Sequence, residues 1–376
     1  MNTTTLRISG MTCDHCARTV EKSLNGLPGV EARVSYTDKI AQVEVRGDVE
    51  TDRLINAVKS KGYGAELLDD GRPPVKGGGD SSLHVAIIGS GSAAVAAAIR
   101  AAGEGAQVTL IEQGILGGTC VNIGCVPSKI LIRAAHVVHE QEHHPFEGIG
   151  RVSPSVDRRR LVSQQQARVD ELRQAKYQDI LDANPNINLL QGRARFTAPG
   201  ILTVQHNGQE KVIKADRVLI ATGAAPAVPP IPGLKDTPYW TSTEALVAET
   251  LPEHLVVLGG SAVGLELAQA FLRLGSKVTV LELLPRLLPR EDESIGTGLQ
   301  TILEREGMRI LTRVKTKSVR HADSRFEVDL GTETVAGDRL LVATGRQPNT
   351  ADLGLEEIGV KTEKNGAILV DEHLRT

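Results

Sequence analysis

The chain contains one strand, turn, helix and strand pattern twice, and this duplication limits its possible folds more than any other feature. The two copies span residues 83–112 and 253–282. The corresponding positions are Gly89 with Gly259, Ala94 with Gly264, and Glu112 with Glu282. A βαβ unit with a glycine-rich first turn is typical of dinucleotide-binding domains. The duplication therefore predicts an α/β fold with two Rossmann-like domains and two nucleotide cofactors.

The first copy has every part that a dinucleotide site needs. In the run GSGSAA, Gly89 permits a tight turn and Gly91 lets the backbone approach a pyrophosphate. Ala94 allows close helix packing, and the amides that begin the helix bind phosphate. Glu112 lies where a carboxylate accepts hydrogen bonds from an adenosine ribose. A glycine-rich loop alone would be weak evidence, but here strand, helix and acid accompany it.

The second copy differs at its middle glycine, which is Ser261, while Gly259 and Gly264 keep the outer positions. A small residue still permits approach, so we expect the pyrophosphate to lie slightly differently. Glu282 would repel a ribose 2′-phosphate and favour NADH. Arg286 follows closely, as does Arg290, and these arginines would compensate by binding that phosphate. The local charges therefore leave NADPH and NADH both open.

Each copy is followed by a second repeated segment, DRVLIATG at 216–223 and DRLLVATG at 338–345. We interpret each as a strand that ends in a glycine turn next to the nucleotide. The candidate cofactor contacts in these turns are Thr222, Gly223 and Gly345.

A cysteine pair lies in GGTCVNIGCVPSK, residues 117–129. Four residues separate Cys120 from Cys125, which is enough for the chain to turn back and bring the sulfurs within disulfide distance. A helix opening here would stabilise the Cys125 thiolate, and Lys129 follows one turn later. The alternative is two core cysteines, which would not need the flanking Gly-Gly-Thr or the lysine. A dithiol between two nucleotide units implies electron transfer from nicotinamide through flavin to sulfur.

Residues 1–69 form a separate predicted domain with the order βαββαβ, which is typical of a ferredoxin-like α+β fold. Cys13 and Cys16 lie at the start of its first helix, and two thiolates at this spacing suit a soft metal ion. A thioredoxin-like dithiol is the competing interpretation, but it needs a longer βαβ context. His15 is either a third ligand or, as we favour, solvent-facing. Residues 70–82 are rich in Pro and Gly and are predicted to be a flexible linker.

Composition excludes several classes of protein. A net charge of -3 gives no electrostatic reason to bind nucleic acid or an anionic membrane. No apolar run approaches the roughly 18 to 20 residues of a membrane helix, and no signal peptide pattern begins the chain. Four cysteines in two close pairs suit a reducing compartment. We therefore expect a soluble, cytoplasmic protein without stable membrane insertion.

Residues 157–183 have the periodicity of one long helix. Four histidines precede it, at His136, His139, His143 and His144. They would suggest a metal cluster, but no carboxylate or thiolate is arranged with them and Pro145 ends the helix. We therefore favour a solvated helix end.

The cysteine stretch and the duplicated units resemble the flavoprotein disulfide reductases, the group that includes lipoamide dehydrogenase and glutathione reductase. The resemblance implies that residues 83–240 hold FAD, that 241–345 hold the nicotinamide nucleotide, and that 346–376 begin the return to the FAD domain. It implies that Cys125 faces the flavin and Cys120 exchanges with substrate, and that Glu266 contacts Lys129 and the nicotinamide end. It also implies flavin-side contacts from Gly117, Gly118 and Thr119.

Residues 1–69 are similar to the heavy-metal-associated domain, with Thr12, Cys13 and Cys16 in its loop and Tyr63 near the site. Its fusion to a disulfide reductase resembles the members of the family that reduce mercury. The implied reaction is NAD(P)H plus Hg(II) giving elemental mercury, as in mercury resistance, with NADPH ahead of NADH. The resemblance also implies a homodimer. Two alternatives are a disulfide reductase acting on lipoamide or glutathione, and a metal-binding protein whose flavoprotein part is inert.

In the family, three features follow the position that corresponds to residue 376. They are a second FAD-contacting Gly-Asp motif, the dimerisation domain and a C-terminal cysteine pair. We therefore expect these 376 residues by themselves to hold FAD weakly and to turn over slowly.

Overall fold

The computed structural model describes residues 2–11, 14–36, 39–45, 49, 51–68 and 83–376. The chain divides into two compact units, Met1–Asp80 and Ser81–Thr376. Predicted elements that fall on other residues lie outside the described part of the chain.

The first unit is the predicted ferredoxin-like arrangement. Its elements are β1 (Asn2–Ser9), α1 (Asp14–Asn25), β2 (Val30–Ser35), β3 (Ile40–Val45), α2 (Thr51–Lys59) and β4 (Gly64–Leu68). The four strands form one antiparallel sheet in the order β2-β3-β1-β4. Helix α1 buries Ala17, Val20 and Leu24 because they recur on one face at helical spacing. These side chains meet Leu54 and Val58 of α2 in a core confined to this unit.

The second unit begins with a Rossmann-like half. Its elements are β5 (His84–Ile88), α3 (Ser92–Gly103), β6 (Gln107–Glu112), α4 (Gly118–Ile123), α5 (Cys125–His143), α6 (Arg158–Arg173), a π-turn (Gln174–Gln178), α7 (Asp179–Asp182), β7 (Ile187–Gln191), β8 (Arg193–Ala198), β9 (Ile201–His206), β10 (Gln209–Lys214), β11 (Arg217–Ile220) and β12 (Ala224–Pro226). The order β11-β5-β6-β7 makes a parallel sheet, and β8, β9 and β10 form an antiparallel meander.

A second Rossmann-like half follows. Its elements are a 3₁₀ turn (Leu234–Asp236), α8 (Ser242–Val247), β13 (His254–Leu258), α9 (Ala262–Arg273), β14 (Lys277–Leu281), α10 (Glu293–Arg305), β15 (Arg309–Leu311), β16 (Ser318–Ala322), β17 (Arg325–Asp329), β18 (Thr334–Gly337), β19 (Arg339–Val342), β20 (Arg346–Pro348) and a 3₁₀ turn (Glu356–Ile358). Its parallel sheet has the order β15-β14-β13-β19, with an antiparallel sheet β16-β17-β18 beside it.

The duplication predicted from the sequence is confirmed in the geometry of the two glycine turns. Gly89 has φ +108° and Gly259 has φ +109°, both in the left-handed region. A Cβ added at Gly89 would lie 2.3 Å from the Ala221 carbonyl oxygen, and one at Gly259 would lie 2.4 Å from that of Ala343. Both turns therefore require glycine, because the backbone is left-handed there and because a side chain would collide with a carbonyl oxygen.

The chain returns to the first half after the second one. Strands β12 and β20 pair as a short antiparallel ribbon, and the Ala227 amide donates to the Gly345 carbonyl at 2.9 Å. Beyond β20, Leu353 and Leu355 are buried in the core that contains Ile88 of the first sheet. The segment from Leu353 to Ile368 therefore packs on the first half.

The predicted helix over 157–183 is present but interrupted. Asp157 caps α6 by accepting from the Arg160 amide at 3.1 Å, and the helix widens into a π-turn at Gln174–Gln178 before α7. One helical stretch, Gly118–His143, is long and apolar enough by length and composition to cross a membrane, so the expectation that no run approaches this length was wrong. The stretch carries Lys129 and Arg133 and packs against α6, α8 and α9, and a helix within a globular fold passes the same test.

Candidate active site

The cysteine pair lies where two helices meet at a glycine. Cys120 belongs to α4 and is half-buried, whereas Cys125 is the first residue of α5 and is exposed. Gly124 separates the helices, and a Cβ there would lie only 2.8 Å from the Thr119 carbonyl oxygen. Glycine therefore lets the start of α5 fold back onto α4, which brings the two cysteines together.

Both sulfurs are present as thiols, and Cys125 lies close enough to act on the Cys120 thiol. Burial is the main cause that raises the pKa of the Cys120 thiol, and the hydrogen bond and charge of Cys125 raise it further. A hydrogen bond with the Cys125 backbone acts in the opposite direction. Cys120 is therefore held in its protonated form at neutral pH.

Lys129 links the cysteine helix to the second nucleotide-binding half. Its Nζ donates to both carboxylate oxygens of Glu266, on α9, at 2.6 Å each. This is the contact that the family resemblance implied for Glu266. Both side chains are about half-exposed, at 58% and 44%, and they line a groove of about 280 Å³ between α5 and α9. The ion pair therefore holds a cation within one helical turn of Cys125.

The helices that follow the two glycine loops begin without a side-chain cap. Gly91 precedes α3 and Ser261 precedes α9, and neither helix has a side chain capping its first turn. Gly118 has φ +64°, and a Cβ there would lie 2.6 Å from the Gly91 Cα. The turn before the cysteines is thus pressed against the first glycine loop, and the two glycines form a cradle that any side chain would fill. Uncapped amides beside such a cradle fit a pyrophosphate.

The two predicted ribose carboxylates are held by the protein. Glu112 accepts from the Gly114 amide at 2.6 Å and from the Ser90 hydroxyl at 2.5 Å. Glu282 accepts from the Gly260 amide at 2.6 Å and from the Leu284 amide at 2.7 Å. Each carboxylate is therefore fixed at the end of a central strand, beside its own glycine loop.

Three further predicted nucleotide contacts, Thr222, Gly223 and Gly345, lie directly before the paired strands β12 and β20. The Asn349 side chain donates to the Thr222 carbonyl at 2.9 Å, and its backbone amide donates to that of Gly223 at 3.0 Å. Gly223 and Gly345 have positive φ and face open space.

Arg286, the predicted phosphate contact of the second half, donates from one guanidinium nitrogen to the carbonyls of its own loop, Pro289 and Glu291, at 3.0 Å each.

Several residues that the sequence did not single out support this region. The Tyr177 hydroxyl lies 3.2 Å from that of Ser92, and the Gly117 amide donates to the Ser90 hydroxyl at 3.1 Å. Asn122 donates to the Gly118 carbonyl at 2.9 Å. Tyr177 lies in the π-turn, and helical periodicity alone does not reveal such a turn. Ser90 and Ser92 belong to the glycine loop identified in the sequence, but the sequence did not show that they contact Gly117 and Tyr177.

The metal-binding loop of the first unit is only partly described. Thr12 and Cys13 lie outside the described residues, as does the side chain of His15. Cys16 lies in α1, half-buried against the core of its unit. Tyr63 packs beside Gly10, at 3.7 Å from the position of an added Cβ.

The histidines at the end of α5 show no metal site. The His139 and His143 rings stack with centroids 4.4 Å apart, and His136 lies 3.3 Å from Glu140. Across the described part of the chain, no group of three or more His, Cys, Asp or Glu residues is arranged to hold a metal. Carboxylates do lie beside these histidines, contrary to the sequence-based expectation, and both ring nitrogens of His144 are buried without a hydrogen-bond partner among the described residues.

Comparison with known proteins agrees with this architecture. Residues 83–376 match the family model described as pyridine nucleotide-disulphide oxidoreductase, and residues 5–64 match the heavy-metal-associated domain. The chain is 53% identical over 376 residues to a mercuric reductase of Acidithiobacillus ferrooxidans, with 99% of this chain and 68% of that protein covered. It is 49% identical over 397 residues to one of Shigella flexneri, with 99% and 70% covered.

The structure resembles that of the HOCl-induced flavoprotein disulfide reductase RclA from Escherichia coli, solved as a Cu(II) complex. The TM-score is 0.71 at 36% identity, with 78% of this chain and 64% of that chain covered. The chain thus spans about two thirds of the length of these relatives, at 68% and 70% for the two mercuric reductases.

Proposed function

Because the chain belongs to the mercuric reductases within the pyridine nucleotide-disulphide oxidoreductase family, we propose that Cys120 and Cys125 are the site at which it reduces Hg(II) to elemental mercury. The observation that carries this assignment is the pair of free thiols at the α4–α5 junction, Cys120 in α4 and Cys125 at the start of α5. The adjoining turn contacts the first glycine loop through Gly118 and Gly91. Thiols at this position lie at the boundary of the nucleotide site.

The residues of the first half fit FAD. The uncapped amides of α3 and the cradle of Gly91 and Gly118 suit its pyrophosphate, and Glu112 suits its adenosine ribose. Thr119, Thr222 and Gly223 complete the proposed contacts. The chemistry that FAD supplies when bound is two-electron transfer between the nicotinamide and the cysteine pair.

The substrate, Hg(II), is a soft metal ion, and the two thiols of this chain are its ligands. Hg(II) replaces the protons of Cys120 and Cys125, because thiolates and not thiols are the ligands, so two protons leave for each ion bound. The raised pKa of Cys120 makes its proton harder to remove than that of an ordinary thiol, and metal binding supplies the driving force. Two electrons from the nicotinamide nucleotide then reduce Hg(II) to the element, which has no affinity for thiolate, and both sulfurs are released.

Lys129 and Glu266 act on this exchange through position and charge. The Lys129 ammonium lies one helical turn from Cys125 and is anchored by Glu266 at 2.6 Å, so positive charge remains near the thiolate. In the first unit, Cys13 and Cys16 are proposed to capture Hg(II) before its transfer to Cys120. The family resemblance implies NADPH as electron donor, whereas Glu282 argues for NADH.

The experiment that tests the proposal is anaerobic NAD(P)H oxidation by the FAD-reconstituted chain, driven by a thiol complex of Hg(II). We expect oxidation that requires Hg(II) and is lost in Cys120→Ser and Cys125→Ser. The control Ser128→Ala, at a half-buried position next to the pair, removes only a hydroxyl that donates to the Cys125 carbonyl at 3.2 Å and should retain it. Oxidation that persists in both cysteine variants would contradict the assignment of the site.

A disulfide reductase is the second candidate, and the similarity to RclA favours it. The same assay separates the two activities when lipoamide or glutathione disulfide replaces Hg(II). Oxidation driven by a disulfide but not by Hg(II) would select the second candidate. A preparation that binds Hg(II) but shows no nucleotide oxidation would indicate a metal-binding protein.

A further inference from the structure

The carboxylates of the two Rossmann-like halves have the same surroundings. Glu112 is the last residue of β6, and Glu282 directly follows β14. In each half one oxygen accepts the amide two residues later, from Gly114 at 2.6 Å or Leu284 at 2.7 Å. The other oxygen reaches the glycine loop of its half, at Ser90 Oγ or the Gly260 amide. The chain therefore contains two copies of one carboxylate site.

The copy in the second half is held more firmly. Glu282 is only 7% exposed, and both of its donors are backbone amides, which cannot rotate away as a serine hydroxyl can. A Cβ added at Gly260 would lie 3.1 Å from Glu282 Oε2. The negative charge is thus fixed beside the turn where a dinucleotide lies, and it cannot swing out to admit a second anion.

The arginines that could offset this charge are placed differently. Arg286 donates to the Pro289 and Glu291 carbonyls of its own loop. Arg290 is exposed, and Arg313 is joined to the loop only by its backbone amide, which donates to Leu284 at 3.1 Å. Among the described residues, no salt bridge reaches Glu282. Neither exposed arginine is therefore oriented toward the carboxylate by a contact of its own.

We infer that the second nucleotide-binding half selects NADH over NADPH and that Glu282 imposes this choice. This inference rests on the proposed function for the existence of a nicotinamide site there. The first half supplies the template, because the adenosine ribose of FAD carries a free 2′-hydroxyl, which a carboxylate accepts from. The same carboxylate geometry suits the free 2′-hydroxyl of NADH and opposes the 2′-phosphate of NADPH. This preference for NADH differs from the preference for NADPH that the family resemblance implied.

Binding to the FAD-loaded chain tests the inference without turnover. The probes are ADP-ribose and 2′-phospho-ADP-ribose, measured by calorimetry, because they differ only in the phosphate that Glu282 would face. We expect ADP-ribose to bind about tenfold or more tightly, the effect of a fixed like charge at a partly exposed site. Glu282→Gln removes the charge and keeps one acceptor oxygen, while its NH2 group faces the second backbone amide, and it should lower this ratio severalfold. Glu293→Gln, an exposed acid in the first turn of α10, is the matched control and should leave the ratio unchanged.

Three results would overturn the inference. One is tighter binding of the 2′-phosphorylated probe to the unmodified chain. Another is a ratio in Glu282→Gln equal to that of the control, with thermal unfolding showing that the variant is folded. The third is a loss of 2′-phospho-ADP-ribose binding in Arg290→Gln or Arg313→Gln that exceeds the loss of ADP-ribose binding. A preference for ADP-ribose without mercury-dependent oxidation would leave the inference intact and remove the proposed function instead.

Discussion

The two thiols of the pair differ because of where each cysteine lies. Cys120 is half-buried in a short helix, whereas Cys125 opens a long one and is exposed. The sequence predicted both the pair and the helix that begins at the second cysteine. It could not predict that burial would raise the pKa of Cys120, because burial depends on how Gly124 folds α5 back onto Thr119.

Removing Cys125 should make Cys120 ionise at lower pH. In Cys125→Ala the neighbouring thiol's hydrogen bond and charge, which raise the pKa of Cys120, are both absent, and only burial continues to raise it. The pH profile of Cys120 alkylation by iodoacetamide, followed by peptide mapping, should shift to lower pH. Cys125→Ser keeps a hydroxyl but no charge and should shift it less. An unchanged profile in Cys125→Ala would show that Cys125 does not influence Cys120.

Replacing Lys129 should affect activity far more than stability. The Lys129–Glu266 pair is about half-exposed, at 58% and 44%, and exposed pairs of this kind contribute roughly 0 to 1 kcal/mol. We expect Lys129→Gln to change the free energy of unfolding by less than about 1 kcal/mol. Mercury-dependent oxidation should fall roughly tenfold, since a charge beside the reacting thiolate is lost. Arg100→Gln, which breaks the exposed pair with Glu104, is the control, and an equal loss of activity there would argue against a local role.

At the scale of elements, the contact between two turns connects the nucleotide loop with the cysteine helices. Gly118 and Gly91 approach so closely that a Cβ on the former would lie 2.6 Å from the Cα of the latter. The sequence identified both glycines as cofactor contacts, because each belongs to a recognisable motif. It could not show that they touch each other, since no pattern within either motif encodes that distance. The π-turn that brings Tyr177 to Ser92 was missed for a related reason, because it widens a helix without altering its residue types.

Gly118→Ala should loosen this connection. Alanine at φ +64° costs about 1 to 2 kcal/mol, and the contact with Gly91 adds to that cost. We expect a lower unfolding temperature and faster loss of FAD from the reconstituted chain, measured by flavin fluorescence. Gly148→Ala is the matched substitution, because its Cβ would enter open space. Equal flavin release by the two variants would mean that the contact between the turns does not matter for the cofactor.

At the scale of the molecule, the two units have separate cores. Among the described residues, the core of the first unit lies between Leu6 and Ala65, and the buried residues of the cores in the second unit begin at Ala86. The sequence predicted this division from the βαββαβ pattern of residues 1–69 and the Pro- and Gly-rich composition of residues 70–82. The two Rossmann-like halves were predicted equally well, because a repeated pattern constrains both copies at once. The sequence placed NADPH ahead of NADH, but it could not show that the Gly260 and Leu284 amides hold Glu282 beside the second glycine loop.

Removing residues 1–82 should leave the second unit folded. Because none of the described residues in the removed part belongs to a core of that unit, its unfolding midpoint should stay within about 2 °C of its value in the full chain. The number of Hg(II) ions bound per chain should fall, because Cys13 and Cys16 are gone. A Cys13→Ser, Cys16→Ser double variant of the full chain should show the same fall in stoichiometry. A markedly lower midpoint in the shortened chain would show that the units stabilise each other.

The ribbon of β12 and β20 makes the second Rossmann-like half an insertion whose two ends meet. The chain leaves the first half at Ala227 and re-enters it at Gly345, and these residues share a backbone hydrogen bond of 2.9 Å. An inserted segment with adjacent ends can be lengthened, shortened or exchanged while the host strands stay in register. The second half is therefore interchangeable in principle, so changes in its sequence need not disturb the half that carries the cysteines.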